Sequence, residues 1–225
     1  MHDPAGPPPE PGGQGVDRRA QLLALAAELF AERGYGGTRI SDIARAAGVA
    51  KGLLYWYFPS KEALLAAVGD DVVRGLRKLQ GAAIAGLDDA LERLYVGVLV
   101  TIRYADRHYQ LYGALNTTGS PAPDSVLVRG LARHVSDTVV VLEDGQRRGT
   151  VRADERADEL AHAISAMVNQ LLHFHQLGMV CGSLDDLAAL AARLCVHLAA
   201  ADPVRAVAVA DAHDALARRA AAHAS

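Results

Sequence analysis

Between Thr38 and Lys61 the chain reads TRISDIARAAGVAKGLLYWYFPSK, and this stretch gathers residue types that hold phosphates and base edges. Lys51 opens a short helix, where a cation can meet a phosphate or a guanine edge. Tyr55 and Tyr57 follow, and tyrosine hydroxyls donate well to phosphate oxygens. Lys61 starts the next helix, whose exposed backbone N–H groups also favour an anion. Arg39 and Arg45, with Arg18 and Arg19, supply further positive charge. Gly48 lies in the tight Ala47-Gly48-Val49 connection, where a positive φ is needed and glycine adopts it cheaply. Ala44 and Ala47 are small where two helices cross, and Ile43, Val49 and Leu54 can pack beneath them. The arrangement is a helix-turn-helix whose second helix is free to lie in the major groove of DNA.

The flanking segments must position that motif. Leu22, Leu25, Ala26, Leu29 and Phe30 follow helical spacing and form one apolar stripe. Gly34 is the expected stop. Thr38 is the expected N-cap of a second helix with Ile40, Ile43, Ala44 and Ala47 inside. A third helix is expected over about 50–58. Pro59-Ser60 breaks the chain, and Ser60 can cap a long fourth helix. Helical patterns continue near 87–104, 106–117, 123–148, 155–178, 184–200 and 203–222. The expected layout is a disordered, Pro- and Gly-rich leader over 1–16, a helix-turn-helix DNA-binding domain over 17–62, and a helical effector-binding and dimerisation domain over 63–225.

Composition agrees with an all-α chain. Hydrophobic residues make up 51% of the 225 and aromatics only 5%, so Ala and Leu dominate, and both suit helices. The formal net charge is −3, but residues 17–61 hold seven Lys/Arg against four Asp/Glu. A small basic element on an acidic body suits a protein that meets nucleic acid with one part only. The two cysteines, Cys181 and Cys195, form no metal knuckle and read as buried thiols in a reducing cytoplasm. No signal peptide or membrane span is expected. GxSxG, P-loop, GxGxxG and HExxH motifs are missing, so neither an enzyme nor a cofactor is expected. His173 and His175 lie two apart on a helix and point to different faces, which argues against a shared metal.

The segment from about Arg19 to Val68 resembles the DNA-binding region of the tetracycline-repressor (TetR) family of bacterial regulators. The residues that carry the likeness are Leu29-Phe30-Ala31-Glu32-Arg33-Gly34-Tyr35, Ile43-Ala44-Arg45-Ala46-Ala47-Gly48-Val49 and Leu54-Tyr55-Trp56-Tyr57-Phe58-Pro59-Ser60-Lys61-Glu62-Ala63-Leu64-Leu65. The resemblance implies a three-helix DNA-binding region joined by a long helix to a divergent dimerising and ligand-binding domain. It implies phosphate contacts by Tyr55, Tyr57, Lys61 and also Thr38, and base contacts by Lys51, Gly52 and Leu53. Ala50 stands where the family usually has a capping Ser, and Leu53 where Thr or Ser is usual. Leu53 then offers a thymine methyl an apolar contact. The resemblance also favours repression over activation.

In the remainder, 155–178 is apolar on nearly every side and 184–200 carries a leucine stripe, so both helices are expected in a four-helix homodimer interface. The interface residues expected are Ile164, Val168, Leu171, Leu187, Leu190, Leu194 and Leu198. Polar groups on otherwise apolar helices mark an effector pocket for an unnamed small molecule. They are Tyr104, His108, Tyr109, Tyr112 and Asn116, with His134, Asn169, Gln170 and His173. The expected partners are a palindromic double-stranded DNA operator, the effector and a second copy of the chain.

Overall fold

The computed structural model describes residues 14–109 and 126–223, with side chains over 18–109 and 132–215. The described residues fold as nine helices: α1 (Gln14–Gly37), α2 (Ile40–Ala46), α3 (Lys51–Tyr57), α4 (Lys61–Ile84), α5 (Ala90–Arg107), α6 (Val126–Arg147), α7 (Ala157–Gln176), α8 (Leu184–Ala199) and α9 (Pro203–His223). The one β feature among them is an isolated antiparallel bridge between Val151 and Ala200. The all-α class is therefore as expected. Several boundaries differ by two or three residues, and one by its course: α5 runs unbroken through Ala105, where a stop was expected. Tyr104, Ala105 and Asp106 include no helix breaker, and Ala105 is buried. Most of the expected leader and of the 106–117 helix lies outside the described residues.

Two compact units divide after Asp71, inside α4. In the first, Leu22, Ala26 and Phe30 of α1 pack in a core with Ile43 of α2, Leu54 of α3 and Leu64 of α4, all fully sheltered from solvent. Gly34 interrupts α1 at φ 70° and ψ 162°, the stop that the sequence places there. Ser60 caps α4, its Oγ accepting from the Ala63 backbone N–H at 3.0 Å.

The second unit centres on α5 and α8, which pack along their length, with α7 and α9 against α8. The buried face of α8 is made of Ala188, Ala191, Ala192, Cys195, Val196 and Ala199. These small side chains let the two helix axes approach closely. Burial pushes the Cys195 thiol up to about 12, so this sulfur behaves as a small apolar group, whereas Cys181, also expected to be buried, is exposed beyond the end of α7. Tyr95 joins α9 to this core: its ring stacks on His213 at 4.9 Å, and its hydroxyl donates to Asp214, which also takes a hydrogen bond from Arg193 at 2.9 Å. Both ends of α8 are tied as well. Ser183 and Asp186 exchange reciprocal capping bonds at its start. At its end, the Arg152 backbone N–H donates to the Ala199 carbonyl at 2.8 Å.

Candidate functional site

The short helix α3 is held from below. Leu54 is 0% and Phe58 2% exposed, and the two act as its anchors. The tight turn ahead of α3 places Gly48 at φ 63°, as the motif requires. Pinned on that side, α3 presents Lys51, Gly52, Tyr55 and Trp56 to solvent. Lys51 Nζ lies 5.5 Å from the centroid of the Tyr55 ring, so the cation sits over an exposed aromatic face. Leu53 and Tyr57 are half-buried. Trp56, 58% exposed, was not among the expected site residues. Its position beside Tyr57, with ring centroids 4.6 Å apart, follows from its offset of two from Leu54. Ala50 is the N-cap of α3 and offers no side-chain hydrogen bond, as its methyl group dictates.

Thr38 is corrected on two points. The N-cap of α2 is Arg39, whose backbone N–H donates to Asp42 Oδ2 at 3.1 Å. Thr38 itself is fully buried, and its hydroxyl is directed at the carbonyls of Leu29 (3.0 Å) and Gly34 (2.9 Å). It therefore has no surface to offer a phosphate. It ties down the irregular end of α1, where Gly34 has broken the helical ladder. Thr38→Val, close in shape, is expected to lower unfolding free energy by about 1–2 kcal/mol, because buried carbonyls lose a donor. A urea melt checks this, and an unchanged midpoint would contradict the tying role.

Lys61 is half-buried and already engaged within the protein. Its ammonium donates to the Tyr35 carbonyl and lies 4.0 Å from the centroid of the Tyr35 ring. The Tyr35 hydroxyl donates to Glu62 at 3.0 Å. Burial, then the bond to Glu62 and its charge, push the Tyr35 hydroxyl up to about 12. The Glu62 carboxyl is held low by its own backbone N–H and by bonds from Ser60 and Tyr35. Lys61 and Glu62 thus clamp the end of α1 to the start of α4. The carbonyl bond uses one of the three ammonium donors. Among the other cations, Arg39 is exposed, Arg45 pairs with Asp42 at 2.5 Å, and Arg19 lies over Phe58 at 5.1 Å.

The second unit holds a partly open cavity of about 310 Å³ between α4, α5, α6 and α7. Of the expected pocket residues, His134 and Asn169 line it. Tyr104 and His108 instead stack on each other at 4.3 Å, away from the lining. Gln170 and His173 point outward from α7. Tyr109 falls outside the second unit, and Tyr112 and Asn116 lie outside the described residues. The polar lining that sequence reasoning missed is Arg77, Gln80, Arg93, Thr101, Asp137, Thr138 and Ser165. Charged residues on a helix normally read as its solvated face, which hid Arg77 and Asp137. Arg77 makes a two-pronged pair with Asp137, at 2.5 and 3.0 Å.

The expected dimer residues divide in two. Ile164, Val168 and Leu187 are buried within the protomer, and the first two line the cavity, so these three are corrected to core residues. Leu190 and Leu194 are 37% and 41% exposed, and Leu171 and Leu198 are partly so. Leu177 and Met179, 57% and 66% exposed, are further apolar surface that sequence reasoning did not mark.

Comparison with known proteins places this arrangement. Residues 22–68 match the model of bacterial regulatory proteins of the tetR family. The repressor DhaR of Mycobacterium sp. strain GP1 is 31% identical over 159 residues, covering 66% of this chain and 77% of DhaR. The chain belongs to the TetR family. Another member, the repressor KstR2 of Rhodococcus jostii strain RHA1, is 40% identical over 104 residues, but that match spans only 44% of this TetR-family chain and 48% of KstR2. Among solved structures, a transcriptional regulator from Saccharomonospora viridis in complex with choline superposes with a TM-score of 0.72 at 25% identity, over 82% of this chain and 98% of that one. Among the described residues of this TetR-family protein, no helix is long and apolar enough to cross a membrane, and no three His, Cys, Asp or Glu side chains gather as a metal site.

Proposed function

We propose that this chain is a cytoplasmic, homodimeric transcriptional repressor that leaves a palindromic operator when a small molecule binds its second unit. The observation that carries the reading is α3: fastened by Leu54 and Phe58, it turns Lys51, Gly52, Tyr55 and Trp56 outward on a ready-made groove-reading face. DhaR and KstR2 are both named transcriptional repressors, which supports the direction of control. Tyr57 and Lys61 act in this scheme as flanking phosphate contacts, with Lys61 holding its own helix in place. Two copies present two α3 helices to half-sites about one DNA turn apart.

The surface of α7 and α8 with Leu171, Leu190, Leu194 and Leu198 is the proposed subunit contact, extended by Leu177 and Met179. The cavity is the proposed effector site. The S. viridis regulator holds a small molecule, which supports ligand control in this architecture. One wall of the cavity is Arg77, Gln80 and Ile84 of α4, the helix that starts at Lys61 beside the DNA-reading helix. An effector that binds better in a dimer geometry unsuited to the operator shifts DNA occupancy by that difference in affinity.

The test is fluorescence anisotropy with the chain's own upstream DNA over a range of salt. Sequence-selective binding that weakens steeply with salt is expected. Lys51→Ala should weaken binding about tenfold and lower the salt slope by about one. Binding that ignores both sequence and salt would overturn the DNA-reading assignment.

A further inference from the structure

We propose that the cavity takes a small, uncharged and largely apolar molecule with a hydroxyl group that hydrogen-bonds the imidazole of His134. The proposal deepens the effector reading above and rests on it. At about 310 Å³ the cavity is at the lower end of ligand pockets, which run from roughly 300 to 1,000 Å³, so the occupant is compact. Its apolar walls include Ile84, Val98, Ile164 and Val168.

Two of the charges in the walls answer each other: Arg77 is held by both carboxylate oxygens of Asp137. Arg93 lies 3.8 Å from Asp144, a carboxylate beyond the lining that also pairs with Arg147 and Arg148 at 3.1 Å. A charged group placed at Arg77 or Asp137 would have to displace the partner that each already holds. The described lining has no Phe, Tyr or Trp, so a quaternary ammonium finds no aromatic face either. Gln80 donates to Thr101 Oγ1 at 2.8 Å and to the Gly97 carbonyl at 3.2 Å, so that polar pair is satisfied internally.

His134 differs from these groups. Its Nδ1 is buried without a hydrogen-bond partner, on a residue that lines the cavity. Burial lowers the basicity of the ring, and Arg77 adds to this, against the opposing pull of Asp137. The ring is therefore neutral near pH 7, with one donor and one acceptor nitrogen. The torsion that turns an imidazole is soft, so a nitrogen can be swung toward a ligand. A hydroxyl both donates and accepts and can serve either tautomer.

Isothermal titration of the full chain tests this with 2-naphthol and menthol, their parent hydrocarbons naphthalene and p-menthane, and the charged molecules 2-naphthoate and choline. At least one hydroxyl probe should bind about tenfold more tightly than its hydrocarbon. In His134→Leu that advantage should shrink below about threefold while the hydrocarbon binds at least as well, and His134→Gln should keep part of it. Thermal melts of both variants confirm that they fold. Equal binding of hydroxyl and hydrocarbon, or an advantage that survives in His134→Leu, overturns the role of His134. Tighter binding of choline or 2-naphthoate overturns the ligand class but leaves the effector reading standing. If none of the six binds, the ligand class is also wrong. The effector reading itself fails only if no small molecule in a broad screen releases the protein from its promoter DNA.

Discussion

Leu190→Glu combined with Leu194→Glu should convert the proposed dimer to a monomer and cut affinity for the proposed operator by two orders of magnitude or more. Both leucines lie on the outer face of α8, about 40% exposed in the protomer, while the opposite face of the helix is fully buried. Their substitution therefore leaves the core of the second unit untouched, and helicity and melting behaviour of the protomer should hold. Two glutamates on each copy would place four like charges on the proposed subunit contact, each buried there without a partner. The loss at the operator follows from linkage. A dimer that has engaged one half-site meets the second at a high effective concentration, worth about 10²–10⁴ in affinity, and a monomer forfeits this. Sedimentation velocity and anisotropy on the same samples check the two effects together. A dimer that survives the double substitution would place the subunit contact elsewhere.

Gly145→Ala should be the most damaging one-carbon change in the second unit, lowering stability by about 2 kcal/mol. In an exposed helix the same change would help, by about 1 kcal/mol. Gly145, however, is buried within α6. A methyl group there would sit 2.4 Å from Val151 Cγ2 and 2.8 Å from the Ala90 Cβ. Neither neighbour has room to retreat, since Val151 and Ala90 are each 1% exposed and Val151 belongs to the bridge with Ala200. Overpacking costs about 1–3 kcal/mol, and a 2.4 Å contact belongs at the top of that range, about 2 kcal/mol beyond the helical gain. For a chain of this length a net loss of about 2 kcal/mol lowers Tm by roughly 4–8 °C. Val151→Ala removes the nearest clashing carbon, so the double variant should melt above the sum of the two single effects. An additive result would show that the overlap is relieved in some other way.

The first unit was largely legible in its residues because local chemistry fixes it. A glycine at a positive φ, an apolar residue every three or four positions and a serine ahead of α4 each act over a few neighbours. Gly34, Gly48, Leu54 and Ser60 accordingly sit in the roles their types dictate. Thr38 was misread because a threonine before a helix has two uses for its hydroxyl, capping or bracing the preceding segment. Only the three-dimensional path of α1 decides between them.

The amino-acid sequence alone determined the helical class, the turn at Gly48 and the cluster of cations and tyrosines around α3, because each depends on residues within one or two helical turns. The tertiary structure alone decided which side of α7 and α8 is core, so that Ile164, Val168 and Leu187 face inward and Leu190 and Leu194 outward. It also decided that Arg77 and Asp137, on helices 60 residues apart, meet beside His134 in one cavity. A helix that is apolar on several sides has no preferred inward face until its neighbours choose one, and a pair across helices exists only once the chain has closed around it.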